Sequence, residues 1–302
     1  MLYGKGSSVK NHTDKIVFMG NFIHFLNTGA SDCIIIESNG HFAMIDAGED
    51  TDFPADKPHL NYTGYEDTVC DYLLKNCCNT DGTVTLDFVL GTHAHSDHIG
   101  GFDTVINHPL ITVKKAYLKP YNEKNVFIYE RLRWDNQEVY NQMKEALINN
   151  GVEITESFDG AFTTFGDFEI TFFNGDCKKH IFKYGENINS VVVLAECNGR
   201  RALLAGDLNN KAFDEYRLAN QIGNVDLLKV GHHGYPFSSS LHWLKALAPK
   251  VSVVCNSEKR IYPHVKYKLT KIIKSTLFCT ADTNGVKFDF DKALEPTTNI
   301  TK

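Results

Sequence analysis

Apolar residues in this chain come in short blocks separated by turn-forming residues, and two spacings recur. Compact apolar or β-branched blocks bounded by Gly, Asn, Asp or Ser predict strands, whereas apolar residues three and four apart predict helices. Lys15–Leu26 predicts one or two strands, Cys33–Glu37 another and His41–Asp46 a third. This β-meander is punctuated at Asn27–Ser31 and Ser38–Gly40 and closed by the D-A-G-E-D turn at Asp46–Asp50. Thr51–Tyr65, with Pro54 and Pro58, predicts a surface loop, and Glu66–Cys77 a helix on the spacing of Val69, Tyr72 and Leu73. Thr83–Leu90 predicts a strand, Gly101–His108 a helix and Thr112–Leu118 a strand. The longest helical candidate is Tyr121–Asn149, ended by Gly151. Phe162–Phe165, Phe168–Asn174, Ser190–Glu196 and Arg200–Ala205 predict strands, followed by helix Lys211–Asn220 and strand Val225–Val230. Helix Leu241–Ala248, strand Val251–Cys255, helix Val265–Leu277 and a strand pair near Thr280–Phe290 complete the reading. A strand-rich stretch followed by helix–strand alternation occurs twice, which predicts an α+β chain of two helix-covered sheets in one domain, residues 1–302.

Composition changes this picture little. A hydrophobic content of 42% and a charged content of 23% are those of a globular chain. The net charge of -6 argues against a nucleic-acid surface as the main activity, which needs a basic stripe. No apolar run approaches the roughly 20 residues of a membrane span. Met1–Lys10 lacks the apolar core of a secretion signal, so the expected location is the cytoplasm, or outside the cell if a leader has been trimmed. The eight cysteines form no C-x-x-C pair, which favours a reducing compartment. Oligomeric state is not legible.

The candidate chemistry sits where predicted strands end. Val89–Gly101 reads V-L-G-T-H-A-H-S-D-H-I-G-G and places His93, His95, Asp97 and His98 directly after a strand. Three imidazoles and a carboxylate so close together are costly unless divalent cations sit among them. Asp207 ends the apolar run L-L-A-G-D, where a carboxylate can bridge two cations with its two oxygens or cap the next helix. His232 and His233, in V-G-H-H-G, also follow a strand, one suited to a metal and the other to substrate.

These motifs resemble the metallo-β-lactamase superfamily, and the resemblance spans about Ile16 to Phe290. I-E-S-N-G-H-F-A-M-I-D-A-G-E-D, T-H-A-H-S-D-H-I-G and the N-x-N-S before Val191 further resemble the phosphorylcholine esterase catalytic module of choline-binding cell-surface proteins. A looser likeness runs to the hydrolase domain of the DNA-uptake competence channel. The resemblance implies a four-layer αββα sandwich of two mixed sheets flanked by helices, with two divalent metals between the sheets. Zn2+ is the first expectation, with Mn2+ or iron as substitutes. It implies one metal on His93, His95 and Asp207 and a second on Asp97, His98, Asp207 and His233, with Asp46 orienting a ligand imidazole. Many superfamily members carry a further histidine before the strand preceding G-D. Here His180 lies too early for that role, and Asn187 and Asn189 are expected near the metals instead.

The function so implied is a phosphodiesterase, phosphorylcholine esterase-like, in which a metal-bridging hydroxide attacks phosphorus. Asp97 would accept a hydrogen bond from that hydroxide, and His264, in I-Y-P-H, would stabilise the leaving oxygen. A small-molecule or cell-wall-type phosphodiester is the expected substrate. A choline-type head group calls for an aromatic cage, for which Tyr129, Trp134, Tyr235 and Tyr262 are candidates. The alternatives are the same metals acting on another ester, thioester, lactone or β-lactam, and a non-catalytic metal-binding module.

Overall fold

The computed structural model describes residues 20–177 and 184–301. Part of the first strand expectation (15–19), the leader region and His180 lie outside the described residues.

The continuous apolar blocks are strands covered on both faces. In β2 (Cys33–Ser38), Cys33 and Ile35 enter a core beneath helices while Ile34 and Ile36 enter a core between sheets. Successive side chains point to opposite faces, so burial on both turns an alternating pattern into a solid one. The same division separates Val192 and Leu194 from Val193 and Ala195 in β10 (Val192–Cys197). Three stacked cores therefore bind four layers.

The first sheet contains β1 (Asn21–Phe25), β2, β3 (His41–Ala47), β4 (Val84–Gly91), β5 (Ile111–Val113), β6 (Lys115–Leu118) and β7 (Glu153–Thr155). It is completed by β15 (Val286–Asp289) and β16 (Glu295–Thr298), and runs in the order β16-β15-β1-β2-β3-β4-β6-β7, with β5 also on β4. The second sheet contains β8 (Phe162–Phe165), β9 (Phe168–Phe173), β10, β11 (Arg200–Leu204), β12 (Leu227–Lys229), β13 (Val251–Val254) and β14 (Thr276–Cys279), in the order β14-β13-β12-β11-β10-β9-β8. Both sheets are mixed. From β11 to β14 the pairing is parallel, each step crossed by helix, as parallel neighbours require. Outside the first sheet lie α1 (Glu66–Asn76), α3 (Phe102–Asn107) and α5 (Asn136–Asn149); outside the second lie α6 (Asp214–Ile222) and α7 (Leu241–Leu247). The expected αββα sandwich is the observed architecture.

Several elements differ from the sequence expectation. Tyr121–Asn149 is not one helix: α4 (Ile128–Arg133) and α5 are separate, with Trp134 extended between them. Phe127, Ile128, Tyr129 and Leu132 are exposed, so their spacing marks no buried face. Val265–Leu277 divides into α8 (Pro263–Tyr267), a π-helical stretch Lys268–Ile273 and β14, whose Leu277 is drawn onto β13 opposite Ser252. Thr280–Thr283 forms a helical turn (α9) before the final strand pair. Thr112–Leu118 is two strands broken at Lys114, and β7, three residues without alternation, went unpredicted. Among the described residues, no helix is long and apolar enough to cross a membrane.

One packing detail carries a pH signature. The buried Glu215 carboxylate accepts the Ser239 and Ser240 backbone N–H groups (2.5 and 2.8 Å) at the start of α7. Burial outweighs those hydrogen bonds and pushes its pKa from 4.5 up to about 6. An acid that holds its proton more tightly when folded favours the fold below the unfolded pKa and loses that contribution as pH rises through the folded one. Glu215 is expected to contribute a loss of about 2 kcal/mol between those pH values. Urea midpoints taken below and above the window should show a shallower decline in Glu215→Gln than in the parent.

Candidate metal centre

The β4 strand delivers the chain to a loop in which His93 and His95 are followed by the single turn α2 (Ser96–Ile99), carrying Asp97 and His98. Gly100 and Gly101 allow that turn to pack against the D-A-G-E-D segment: a Cβ at Gly100 would lie 3.1 Å from the Asp50 backbone nitrogen, and one at Gly101 2.7 Å from the Ala47 carbonyl oxygen. From the second sheet, Asp207 follows β11 and His233 follows β12. His232 and His233 both adopt left-handed backbone (φ 51° and 47°), a strained arrangement for side-chain-bearing residues that turns His233 inward.

These elements bring Asp97, His98, Asp207 and His233 together, with one ligand-type atom of each within 4.8 Å of the others. His98 Nε2 and His233 Nε2 face each other at 3.2 Å, and both point at Asp207 Oδ1 (3.1 and 3.3 Å). Asp97 Oδ2 lies 3.2 Å from His233 Nε2. Asp207 Oδ1 is buried and takes no well-formed hydrogen bond among the described residues. Two imidazole nitrogens converging on such an oxygen are the donor set of a divalent cation, so the residues present fit a metal.

The outer sides of the ligands are held in turn. Asp46 Oδ2 meets His98 Nδ1 at 2.7 Å, and Asp46 also accepts the Thr92 backbone N–H and hydroxyl, each at 2.8 Å. His233 Nδ1 meets the Cys255 carbonyl at 3.1 Å, leaving Nε2 for the centre. The Asp207 backbone N–H is taken by Ser190 Oγ at 3.0 Å, and Asn187 Nδ2 donates to Asp207 Oδ2 at 3.4 Å. Beneath lies a group that no motif announced: the fully buried Lys229 ammonium contacts Asp32 and donates to the Gly206 carbonyl at 2.8 Å, 3.6 Å from Asp207 Oδ1.

Electrostatics follow from this crowding. Burial alone would lower the His233 pKa, yet the Asp207 and Asp32 carboxylates push it up to about 10. Burial would raise Asp97, but His98 and His233 hold it down at about 2. In both cases positive charge is favoured at this spot. Replacing Asp46 with Asn would remove the carboxylate that fixes His98 and is expected to weaken metal binding about ten- to a hundredfold, read by chelator competition.

His93 and His95 stand beside the four-residue cluster: the His93 and His98 rings are 4.2 Å apart, and His93 Nε2 meets His95 Nδ1 at 3.0 Å. His232 lines the cleft, with Nδ1 against the Pro236 carbonyl. Asn189 turns away, donating to Glu186 at 2.7 Å. His264 is exposed on α8 and is not among the residues that line the cleft. Asp32, Lys229 and Glu130, which receives His95 Nε2 at 3.0 Å, were not anticipated. A lone lysine in the otherwise apolar run L-L-K-V was the one sequence signal for any of them.

Above the cluster opens a cleft of about 680 Å3. Its lining includes Glu49, Tyr62, Trp134, Asp135, Tyr235, Lys211 and Arg260, together with His95, Asp97, Asp207 and His233. Burial and then the Glu49 and Asp97 carboxylates push the Tyr62 hydroxyl's pKa up. Tyr129 and Tyr262 are exposed and outside the lining.

A family model described as Metallo-beta-lactamase superfamily matches residues 82–257. ComE operon protein 3 of Bacillus subtilis (strain 168) is 26% identical over 212 residues, 68% of this chain and 24% of that protein. Competence protein ComA of Neisseria gonorrhoeae is 27% identical over 188 residues, 62% of this chain and 22% of that protein. This chain thus spans about a quarter of the length of these relatives. Among solved structures, CmlA, a diiron beta-hydroxylase from Streptomyces venezuelae, aligns with a TM-score of 0.50 at 12% identity, covering 86% of this chain and 52% of that one. A variant of the CmlA beta-hydroxylase aligns with a TM-score of 0.51 at 13% identity, covering 89% and 54%. Both likenesses concern the fold alone.

Proposed function

This chain belongs to the metallo-beta-lactamase superfamily and carries its metal-dependent hydrolase fold, and from that premise we propose that it is a two-metal phosphodiesterase, phosphorylcholine esterase-like in substrate preference. The observation that carries this reading is the convergence of Asp97, His98, Asp207 and His233 at the floor of a cleft lined with both carboxylates and aromatic rings. His98, Asp97, Asp207 and His233 would hold one cation, and His93, His95 and Asp207 the other. Divalent cations there supply an acidified water and neutralise charge on the phosphoryl oxygens.

The chain's own residues do the rest. Asp46 and the Cys255 carbonyl fix the Nδ1 sides of His98 and His233, so that both Nε2 atoms present lone pairs to the centre. Ser190 and Asn187 hold Asp207 at its backbone N–H and Oδ2, leaving Oδ1 directed inward. Asp97 is the most exposed of the four and its carboxylate stays ionised, which suits it to accept a hydrogen bond from the attacking water. Tyr62 and Trp134 offer aromatic faces to a cationic amino-alcohol on the phosphodiester, with the Glu49 and Asp135 carboxyl groups lining the same cleft. The products would be a phosphomonoester and the released alcohol.

Metal analysis of the untreated protein, paired with assays on bis-p-nitrophenyl phosphate, p-nitrophenyl phosphorylcholine, nitrocefin and a thioester, tests this reading. Metal-dependent turnover of the two phosphodiesters, with none of the others, is expected. Turnover confined to nitrocefin or the thioester overturns the phosphodiester assignment, and full activity without metal overturns the metal centre.

A further inference from the structure

One side of the cleft has no part in the reading so far. The first-sheet half supplies Tyr62 and Trp134 to the lining, and the second-sheet half supplies Lys211 and Arg260. Acidic residues outnumber basic ones in this chain, 37 to 31, so a cation on its surface readily finds a carboxylate. Lys114, Lys144, Lys250 and Lys266 each do so, at 2.5–2.8 Å. Among the described residues, no carboxylate lies within 4 Å of Lys211 or Arg260, although both line the cleft.

Both cations are held where they stand. Lys211 Nζ lies 4.8 Å from the centre of the Phe237 ring, and Asn209 Oδ1 accepts the Lys211 backbone N–H at 3.0 Å. Arg260 ends the short helical turn Glu258–Arg260 that follows β13. The chain is fastened just beyond it, where the Tyr262 N–H donates to the Gly234 carbonyl at 2.9 Å. Gly29, Tyr65 and Arg260 also line an adjoining groove of about 650 Å3, so the cleft continues past Arg260. The carboxylates on that groove are engaged: Glu258 pairs with Lys266 at 2.6 Å, and Asp282 accepts the Glu258 N–H at 2.6 Å.

Two cations that face a cleft without a counter-charge suit an anion brought by the ligand. We infer that Lys211 and Arg260 form a subsite for a second phosphate on the substrate, carried by the arm that points away from Tyr62 and Trp134. The inference rests on the phosphodiesterase reading and narrows it: the substrate is a phosphodiester with a cationic amino-alcohol on one arm and a further phosphate on the other. Arg260 offers a planar fork that can take two phosphate oxygens at once, and Lys211 adds a point charge. Neither belongs to the metal centre, so the pair selects the diester rather than cutting it.

Hydrolysis of glycerophosphocholine, compared with that of the same diester bearing a phosphate on the far glycerol hydroxyl, tests this in the metal-loaded full chain by phosphorus NMR. The parent is expected to prefer the added-phosphate diester about fivefold in kcat/KM, through a lower KM, and to lose that preference as salt rises. Arg260→Gln and Lys211→Gln should each reduce the preference, and the double variant should abolish it. Arg260→Lys, which keeps the charge, should restore part of it. Equal rates on the two diesters, no turnover of either while bis-p-nitrophenyl phosphate is cut, or a preference that survives in the double variant overturns the subsite and leaves the phosphodiesterase reading standing. No turnover of any of the three diesters overturns both.

Discussion

Asp207→Ala is expected to abolish phosphodiester hydrolysis and to strip the centre of metal. Asp207 Oδ1 is the atom toward which both imidazole Nε2 groups turn, and its other oxygen is held by Asn187. In the proposed centre it is the only residue shared by both cations, so its loss removes a ligand from each. A fall in kcat/KM on the order of a thousandfold, about 4 kcal/mol of transition-state stabilisation, is the expected size. Metal content per chain should fall in parallel, and a far-UV spectrum like the parent's would separate lost chemistry from lost fold. A variant that kept its metal and its rate would sink the bridging role.

Lys229→Met should be the most destabilising single change around the centre. The ammonium is fully buried against Asp32, and Met matches its length without its charge. Burial by itself would lower the lysine's pKa, but Asp32 and then Asp207 raise it, so the group is charged throughout the accessible range. Removing one partner of a buried pair strands the other, at a cost of about 3–5 kcal/mol. Urea denaturation should show that loss. The double variant Asp32→Asn/Lys229→Met should recover most of it, because the stranded charge is gone. Additive losses would show that the two residues act independently.

How much of this was legible in the sequence depended on whether a residue's role was local. The strands over Cys33–Glu37, His41–Asp46 and Thr83–Leu90 were readable because burial on both faces leaves a solid apolar run. The cluster in H-A-H-S-D-H was readable because four ligand-type residues lie in one loop. Asp32 and Glu130 were not readable, and Lys229 showed only as a lone charge in an apolar run. Each is an ordinary charged residue by composition, and its importance comes from a partner far along the chain: Lys229 for Asp32, Glu130 for His95. The error over Tyr121–Asn149 has a related origin. Periodicity records which residues could share a face but not whether anything packs there, and α4 presents its apolar side to solvent.

The four converging side chains come from opposite halves of the sandwich, Asp97 and His98 from the first sheet's loops and Asp207 and His233 from the second's. A cation held by all four is therefore also a rivet, joining stretches of chain more than a hundred residues apart. Such a rivet adds to stability in proportion to the logarithm of free metal concentration, about 1.4 kcal/mol for each tenfold. The melting temperature of this protein should then climb with metal supply and drop on chelation. In a metal-starved cell the chain would be the more readily unfolded and degraded, so its abundance as well as its activity would follow the metal.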